Sequence, residues 1–211
     1  MIIAVDGPTA SGKGTIAKQL AAHFGVPHLD TGLLYRAVGQ QVALGGGDPD
    51  READALSACA FPDALLADPI LRSEEVGGLA SRVSVHPAVR AALFERQRAF
   101  AEQPGGAVLD GRDIGTVIAP DADVKLFITA SVQERARRRW LEMTSAHIGR
   151  EDEIPLAEIE KDIVRRDARD INRADAPLKA APDAMVIDTT RFGKEEAFET
   201  VLEAVEEKLR G

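Results

Sequence analysis

"IIAVDGPTASGKGTIAKQLAAHF" (residues 2–24) is the stretch whose reading decides the fold. Residues 2–5 form a short apolar run closed by Asp6, Gly7 and Pro8, as expected of a buried strand entering a turn. From Lys13 to Phe24 the apolar residues Ile16, Ala17, Leu20 and Phe24 follow helical spacing, and Gly25 ends the pattern. Between strand and helix lies Gly7-Pro8-Thr9-Ala10-Ser11-Gly12-Lys13-Gly14-Thr15, which contains G-x-x-x-x-G-K. Without that setting the motif would be a glycine-rich turn with a chance lysine; within it, the motif reads as a phosphate-binding loop. Glycine lets the backbone wrap closely, so its N–H groups can point at phosphate oxygens. The helix N-terminus adds a favourable dipole, and Lys13 supplies a point charge for the β- and γ-phosphates of a nucleoside triphosphate.

Working outward, "HL" (28–29) and a helix over 32–44 follow, then the loop signal "GGGDPD" (45–50). Residues 52–102 read as helical pieces without a convincing strand, the last opened by Pro87 in its first turn. Strand and helix then alternate: "AVLD" (107–110), "VKLFI" (124–128), an arginine-rich helix over 131–145, a loop at 144–155 and a helix over 155–171. "AMVID" (184–188) is the last expected strand, and "KEEAFETVLEAVEEKLR" an amphipathic final helix. Apolar strands alternating with helices indicate a parallel α/β sheet. One domain is expected over 1–211, with 45–102 an insertion and 144–155 a lid.

The 211 residues suffice for one sizeable core, and the 45% hydrophobic fraction is that of a globular chain. No apolar run reaches membrane-spanning length. The opening MIIAVDGPTA lacks a basic leader and Asp6 interrupts its apolar stretch, so no signal peptide is expected. A lone cysteine, Cys59, permits no internal disulfide and suits a reducing cytoplasm. His23, His28, His86 and His147 lack metal-ligand spacing and read as surface or core residues. The net charge of −9, from 26 basic and 35 acidic residues, argues against a nucleic-acid-binding face. It leaves room for small anions, whose sites need only locally focused positive charge.

Three arginine-bearing stretches speak to a second ligand. In "DTGLLYR" (30–36), Thr31 is placed as a helix N-cap with Arg36 a turn beyond, which suits a phosphate but is also ordinary capping. In "ERARRRW" (134–140), Arg135, Arg138 and Arg139 share one helix face. In "RRDARDINR" (165–173), Arg166, Arg169 and Arg173 alternate with Asp167 and Asp170. Alone, both runs would be solvated, salt-bridged helices. Beside a phosphate-binding loop they suit phosphoryl transfer, which gathers cations around the migrating group when a loop closes. A fourth stretch, "AVLDGRDIGTVI" (107–118), ends an apolar strand on Asp110 in a Walker-B-like position, with Arg112 between two acids. Simple neutralisation of Arg112 by Asp110 and Asp113 is the bland reading. A kinase for some other small acceptor (UMP, AMP or a metabolite hydroxyl, the last needing a catalytic base) and a nucleotide-hydrolysing regulatory module both remain compatible with these residues.

Together GPTASGKGT, DTGLLYR, the VR of HPAVR, DGRDIGT, ERARRR and RDARDINR resemble, in family order and over nearly the whole chain, the bacterial cytidylate kinases of the nucleoside monophosphate kinase family. The resemblance implies a P-loop kinase fold, a five-stranded parallel sheet flanked by helices, with a monophosphate-binding insertion and a short lid. It implies transfer of the γ-phosphoryl group of ATP, with Mg²⁺, to CMP or dCMP; a monomer is expected. By it, Arg36 and Arg112 look like holders of the acceptor phosphate, and Ser81, Arg90 and Asp113 like readers of the base. Arg166 and Asp170 look like ribose contacts, and Arg173 like the arginine near the base and phosphate. Lys13 and the lid-side Arg135, Arg138 and Arg139 would neutralise charge during transfer. The chain departs from the family pattern at one place, and from the common phosphate-loop motif at another, where Lys-Gly-Thr resembles the loop of nucleoside monophosphate kinases. Residues 45–80 are shorter than the usual insertion and read as helical, and Lys13 is followed by Gly14 rather than a hydroxyl residue. Metal ligation by the loop therefore falls to Thr15, if to any residue, with Asp110 holding the ion through water.

The paired charges then acquire a purpose. Asp113 would accept from the exocyclic amine of cytosine while Arg90 donates to a ring acceptor. Uracil would face the carboxylate with a carbonyl, and a buried mismatch of that kind rejects an analogue by about 10⁴-fold.

Overall fold

The computed structural model describes residues 1–146 and 155–210. Residues 147–154, most of the lid expected at 144–155, and His147 with them, lie outside the described residues.

Five strands form one all-parallel sheet: β1 (Ile2–Asp6), β2 (His28–Asp30), β3 (Ala107–Gly111), β4 (Val124–Thr129) and β5 (Met185–Asp188), in the order β2-β3-β1-β4-β5. Ala4 of the central β1 pairs with Leu109 on one side and Lys125 on the other. Because β1 has a neighbour on each edge and helices on both faces, it can be apolar throughout, which is why residues 2–5 lack alternation. Every strand points its C-terminal end the same way. The loops after β1 and β3 therefore emerge together, where the sheet order reverses and ligands of such folds bind.

The helices are α1 (Lys13–Phe24), α2 (Thr31–Leu44), α3 (Glu52–Ser57), α4 (Glu74–Val83), α5 (Pro87–Ala101), α6 (Val132–Ala146), α7 (Leu156–Ile171) and α8 (Lys194–Arg210). One sheet face packs Ile3, Val5, Val108, Leu126 and Ile128 against Leu20 of α1 and Val201 and Val205 of α8. The other packs Ala4 and Leu109 against Ala101 of α5 and against Ile114 and Ile118. A separate apolar cluster joins Leu34 and Val38 of α2 to Val76 and Val83 of α4, with Leu71, Val89 and Leu93. Residues from 45–102 thus pack an apolar cluster of their own against α2. Pro87 opens α5 at its first turn, as expected. α6 and α7 meet through Ala136, Trp140, Ile159 and Ile163.

Two local expectations are corrected. Asp30, not Thr31, is the N-cap of α2; Thr31 is the first helical residue, and its hydroxyl donates to the Asp110 carbonyl at 2.8 Å. The expected loop start at 144 gives way to helix, since α6 runs to Ala146.

Candidate active site

The phosphate loop is shaped by close approach. A Cβ on Gly7 would stand 2.1 Å from the Ile128 carbonyl oxygen, so only glycine lets the chain cross the end of β4. Ala10 sits at φ 59, in the left-handed region that costs a non-glycine residue about 1 kcal/mol. Strain of this kind collects at ligand clamps. Lys13 is buried, its Nζ donating to the Pro8 carbonyl at 3.3 Å. Burial lowers its pKa to about 8, with Arg112 pushing the same way and Asp110, Asp30 and Asp170 opposing. A phosphate set against it would restore the charge.

Two clefts open on opposite sides of this loop. Ala10, Ser11, Gly12 and Thr15 line one, together with Arg138 and Leu141 of α6 and with Thr189, Phe192 and Gly193 beyond β5. Thr9 lines the other, where it is joined by Thr31, Tyr35 and Arg36 of α2, Ser81 of α4, Ser84, Arg112 and Asp113 after β3, Arg166 and Asp170 of α7, and Arg173. The loop is the shared wall.

Thr9 is tied from three directions. Its hydroxyl accepts from Arg112 at 2.9 Å, its carbonyl accepts from Arg135 at 2.9 Å, and its N–H donates to Asp167 at 3.3 Å. Arg135 is itself paired with Asp167 at 2.7 Å and nearly fully buried. Helices α6 and α7 are thereby fastened to the phosphate loop.

The three arginines expected on one face of α6 part company. Arg135 braces the loop. Arg138 turns to the first cleft, bonding the Thr189 carbonyl at 2.5 Å and pairing with Glu134 at 2.9 Å. Arg139 turns to α4, where it pairs with Glu74. Glu74 also takes Arg166 at 2.8 Å. Gly77, one turn along α4, leaves the space that lets Arg36 and Arg166 in, because a Cβ there would lie 2.9 Å from each guanidinium. Arg36 donates to the carbonyls of Leu71 and Ser73 at 2.7 and 2.9 Å. Burial lowers its pKa to about 10, and its neighbours Arg166 and Arg139 contribute to that despite Asp30. Such crowding of cations around one carboxylate favours a bound dianion.

The bland reading of Asp110 and Asp113 fails on the contacts. Arg112 takes its carboxylate from Asp170, at 2.8 Å. Asp113 is paired instead with Arg90 of α5 at 2.5 Å, both side chains 6% exposed. Arg90 also donates to the Tyr35 hydroxyl at 3.3 Å. Arg90 therefore stands behind Asp113 and Tyr35, which face the cleft. Ser81 accepts from Arg169 at 2.7 Å. Arg173 donates to the Ala176 carbonyl at 2.8 Å, while its buried Nε has no acceptor among the described residues. Burial, then Arg90, lowers the Arg173 pKa.

Asp110 is buried, with one oxygen 2.7 Å from His28 Nε2 and the other close enough to sit 3.5 Å from a Cβ on Gly14. Thr15 opens on the first cleft. Among the described residues no three His, Cys, Asp or Glu side chains gather as a metal cage. One carboxylate and one hydroxyl beside a phosphate loop fit Mg²⁺, which commonly keeps several waters and phosphate ligands.

Several residues here were not anticipated. Glu74 and Ser84 lack any local motif, Asp30 opens the DTGLLYR stretch but was given no role, and His28 is indistinguishable in sequence from a core histidine. Asp6 is the clearest case. Its buried carboxylate accepts from the N–H groups of Ile114 and Gly115, each at 2.8 Å, and holds residues 114–118 in a single π-helical turn. Its position directly before the loop glycine was the available signal.

A family model described as Cytidylate kinase matches residues 3–207. A cytidylate kinase of Methylocella silvestris is 54% identical over 207 residues, covering 98% of this chain and 94% of that one. One from Cereibacter sphaeroides is 55% identical over 204 residues, covering 97% and 94%, and one from Azorhizobium caulinodans is 52% identical over the full length of both chains. The solved structure of an uncharacterized protein from Eubacterium ventriosum aligns over 98% of each chain at TM-score 0.56 and 14% identity, a likeness of fold alone.

Proposed function

The chain belongs to the cytidylate kinase family, and from that premise we propose that it transfers the γ-phosphoryl group of ATP to CMP, and to dCMP, releasing ADP and CDP or dCDP. The observation that carries this reading is the shared wall: residues 10–12 face one cleft while Thr9 faces the other. A triphosphate wrapped by the loop would present its terminal group to an acceptor in the second cleft. Lys13 and the α1 N-terminus serve the donor. Arg36, Arg112, Arg139 and Arg166 serve the acceptor phosphate, with Asp170 and Arg166 toward the ribose and Asp113, Arg90 and Ser81 toward the base.

The nucleophile is an acceptor phosphate oxygen. Its second pKa is about 6, so it is mostly dianionic at neutral pH and needs no general base. Catalysis then rests on positioning and on charge neutralisation by fixed cations. Asp110, through water, and Thr15 are the residues proposed to hold Mg²⁺, which supplies charge neutralisation on the β- and γ-phosphates when bound. Segment 144–155 is proposed as the lid that excludes water, and 45–102 as the monophosphate-binding insertion.

A panel of CMP, dCMP, UMP, AMP and simple alcohols in a coupled ADP-release assay tests the reading. Release stimulated strongly by CMP and dCMP, and weakly by the others, is expected. ADP release indifferent to CMP would instead indicate a regulatory hydrolase.

A further inference from the structure

Asp113 has a problem as a reader of cytosine: the structure shows it already engaged. Its Oδ2 is held by Arg90 at 2.5 Å in a nearly buried pair. A carboxylate that must neutralise a buried guanidinium has less capacity for an incoming amine. Arg90 needs another counter-ion if Asp113 is to turn toward a base.

One is present. The Nε of Arg90 donates to Asp175 at 3.0 Å, beside the Nη2 that Asp113 takes. Asp175 follows α7 and is 52% exposed, so solvation of its charge costs little. Its aim is set by the turn that carries it. Ala176 takes φ 47, the Arg173 guanidinium holds the Ala176 carbonyl at 2.8 Å, and the Leu178 N–H bonds the Asp170 carbonyl at 2.9 Å. An alanine in the left-handed region is held there only by such bonds. With Nε on Asp175 and Nη1 on Tyr35, the guanidinium plane is set, and Nη2 is left to Asp113, whose carboxylate faces the cleft.

We infer that Asp175 is a positioning residue for acceptor selectivity: it balances Arg90 from the solvent side, so that Asp113 is free to accept from the exocyclic amine of cytosine. The inference rests on the acceptor-base reading above and assigns a control to it. Without Asp175, Asp113 is the sole carboxylate on Arg90 and is drawn tighter onto it. CMP, which needs that carboxylate, then suffers more than UMP.

Steady-state kinetics of Asp175→Ala and Asp175→Glu with CMP and UMP provide the test, with Asp113→Asn alongside. For Asp175→Ala, a rise of about fivefold in KM for CMP is expected, the scale of a partly exposed ion pair. The ratio of kcat/KM for CMP over UMP should fall by a similar factor, kcat with saturating CMP should hold, and Asp175→Glu should recover most of the loss. A fall in kcat with an unchanged ratio would mark a merely structural role and overturn the inference. A ratio unchanged in Asp175→Ala but collapsed in Asp113→Asn would overturn the inference while sparing the base reading. A ratio unchanged in both variants would overturn the two together.

Discussion

Arg112 donates to the hydroxyl of Thr9 across 2.9 Å, and this bond joins the proposed acceptor site to the proposed donor loop. Arg112 is also anchored on Asp170, so the contact links β3, α7 and the loop in one chain. Thr9→Val keeps the shape and removes the acceptor, leaving a guanidinium N–H unpaired. A hydrogen bond to a charged group contributes about 1.5–3 kcal/mol, so KM for CMP should rise at least about tenfold while KM for ATP changes less. Initial-rate measurements with each substrate varied check this. An equal effect on both would place the bond's importance in loop folding instead.

Lys13→Met should lower kcat by about 10³-fold, the scale of losing one fixed charge at a transition state. The wild type should also show a pH signature. The pKa of Lys13 is lowered to about 8 by burial and then by Arg112, so the free enzyme loses this charge above that pH. ATP binds the charged form. KM for ATP should therefore climb as pH rises past about 8, and the climb should vanish in the methionine variant.

Asp6 makes a prediction about stability. Burial raises its pKa from 3.8 to about 6, with the N–H groups of Gly115 and Ile114 opposing and Asp113 adding to the rise. A carboxyl whose folded pKa is raised binds its proton more readily folded than unfolded. Its favourable contribution is full below 3.8 and is lost as pH rises through about 6. Asp6→Asn does not titrate, so its Tm relative to wild type should improve by a few degrees between pH 4.5 and pH 7.5. A constant offset, reflecting only the altered bonds to Ile114 and Gly115, would contradict the titration.

The partition of the α6 arginines gives a further contrast. Arg139→Ala should raise KM for CMP about tenfold with little change for ATP, and Arg138→Ala should do the reverse. Matching profiles for the two variants would mean that the helix acts as one charged surface.

Strands and the phosphate loop were legible because their signals are local. An apolar run ended by Asp6-Gly7-Pro8 and a lysine after Gly12 lie within a few residues of each other. The partners of each charge were not. Arg135, Arg138 and Arg139 share a helix face by periodicity, yet their directions depend on Thr9, Thr189 and Glu74, which arrive from three other elements. The turn at 114–118 is similar: its shape follows from Asp6, more than a hundred residues earlier, accepting two adjacent N–H groups. Thr31 was misplaced by one residue because Asp30 and Thr31 are both good caps, and the Thr31 hydroxyl is spent on the Asp110 carbonyl of another element.

The central claim is that one loop holds a triphosphate against an acceptor phosphate on its far side. ATP labelled in the γ-phosphoryl group, incubated with the protein, Mg²⁺ and CMP, follows the group itself. The account predicts that nearly all transferred label appears in CDP, with little as inorganic phosphate. Label released chiefly as inorganic phosphate, at a rate unaffected by CMP, would contradict it.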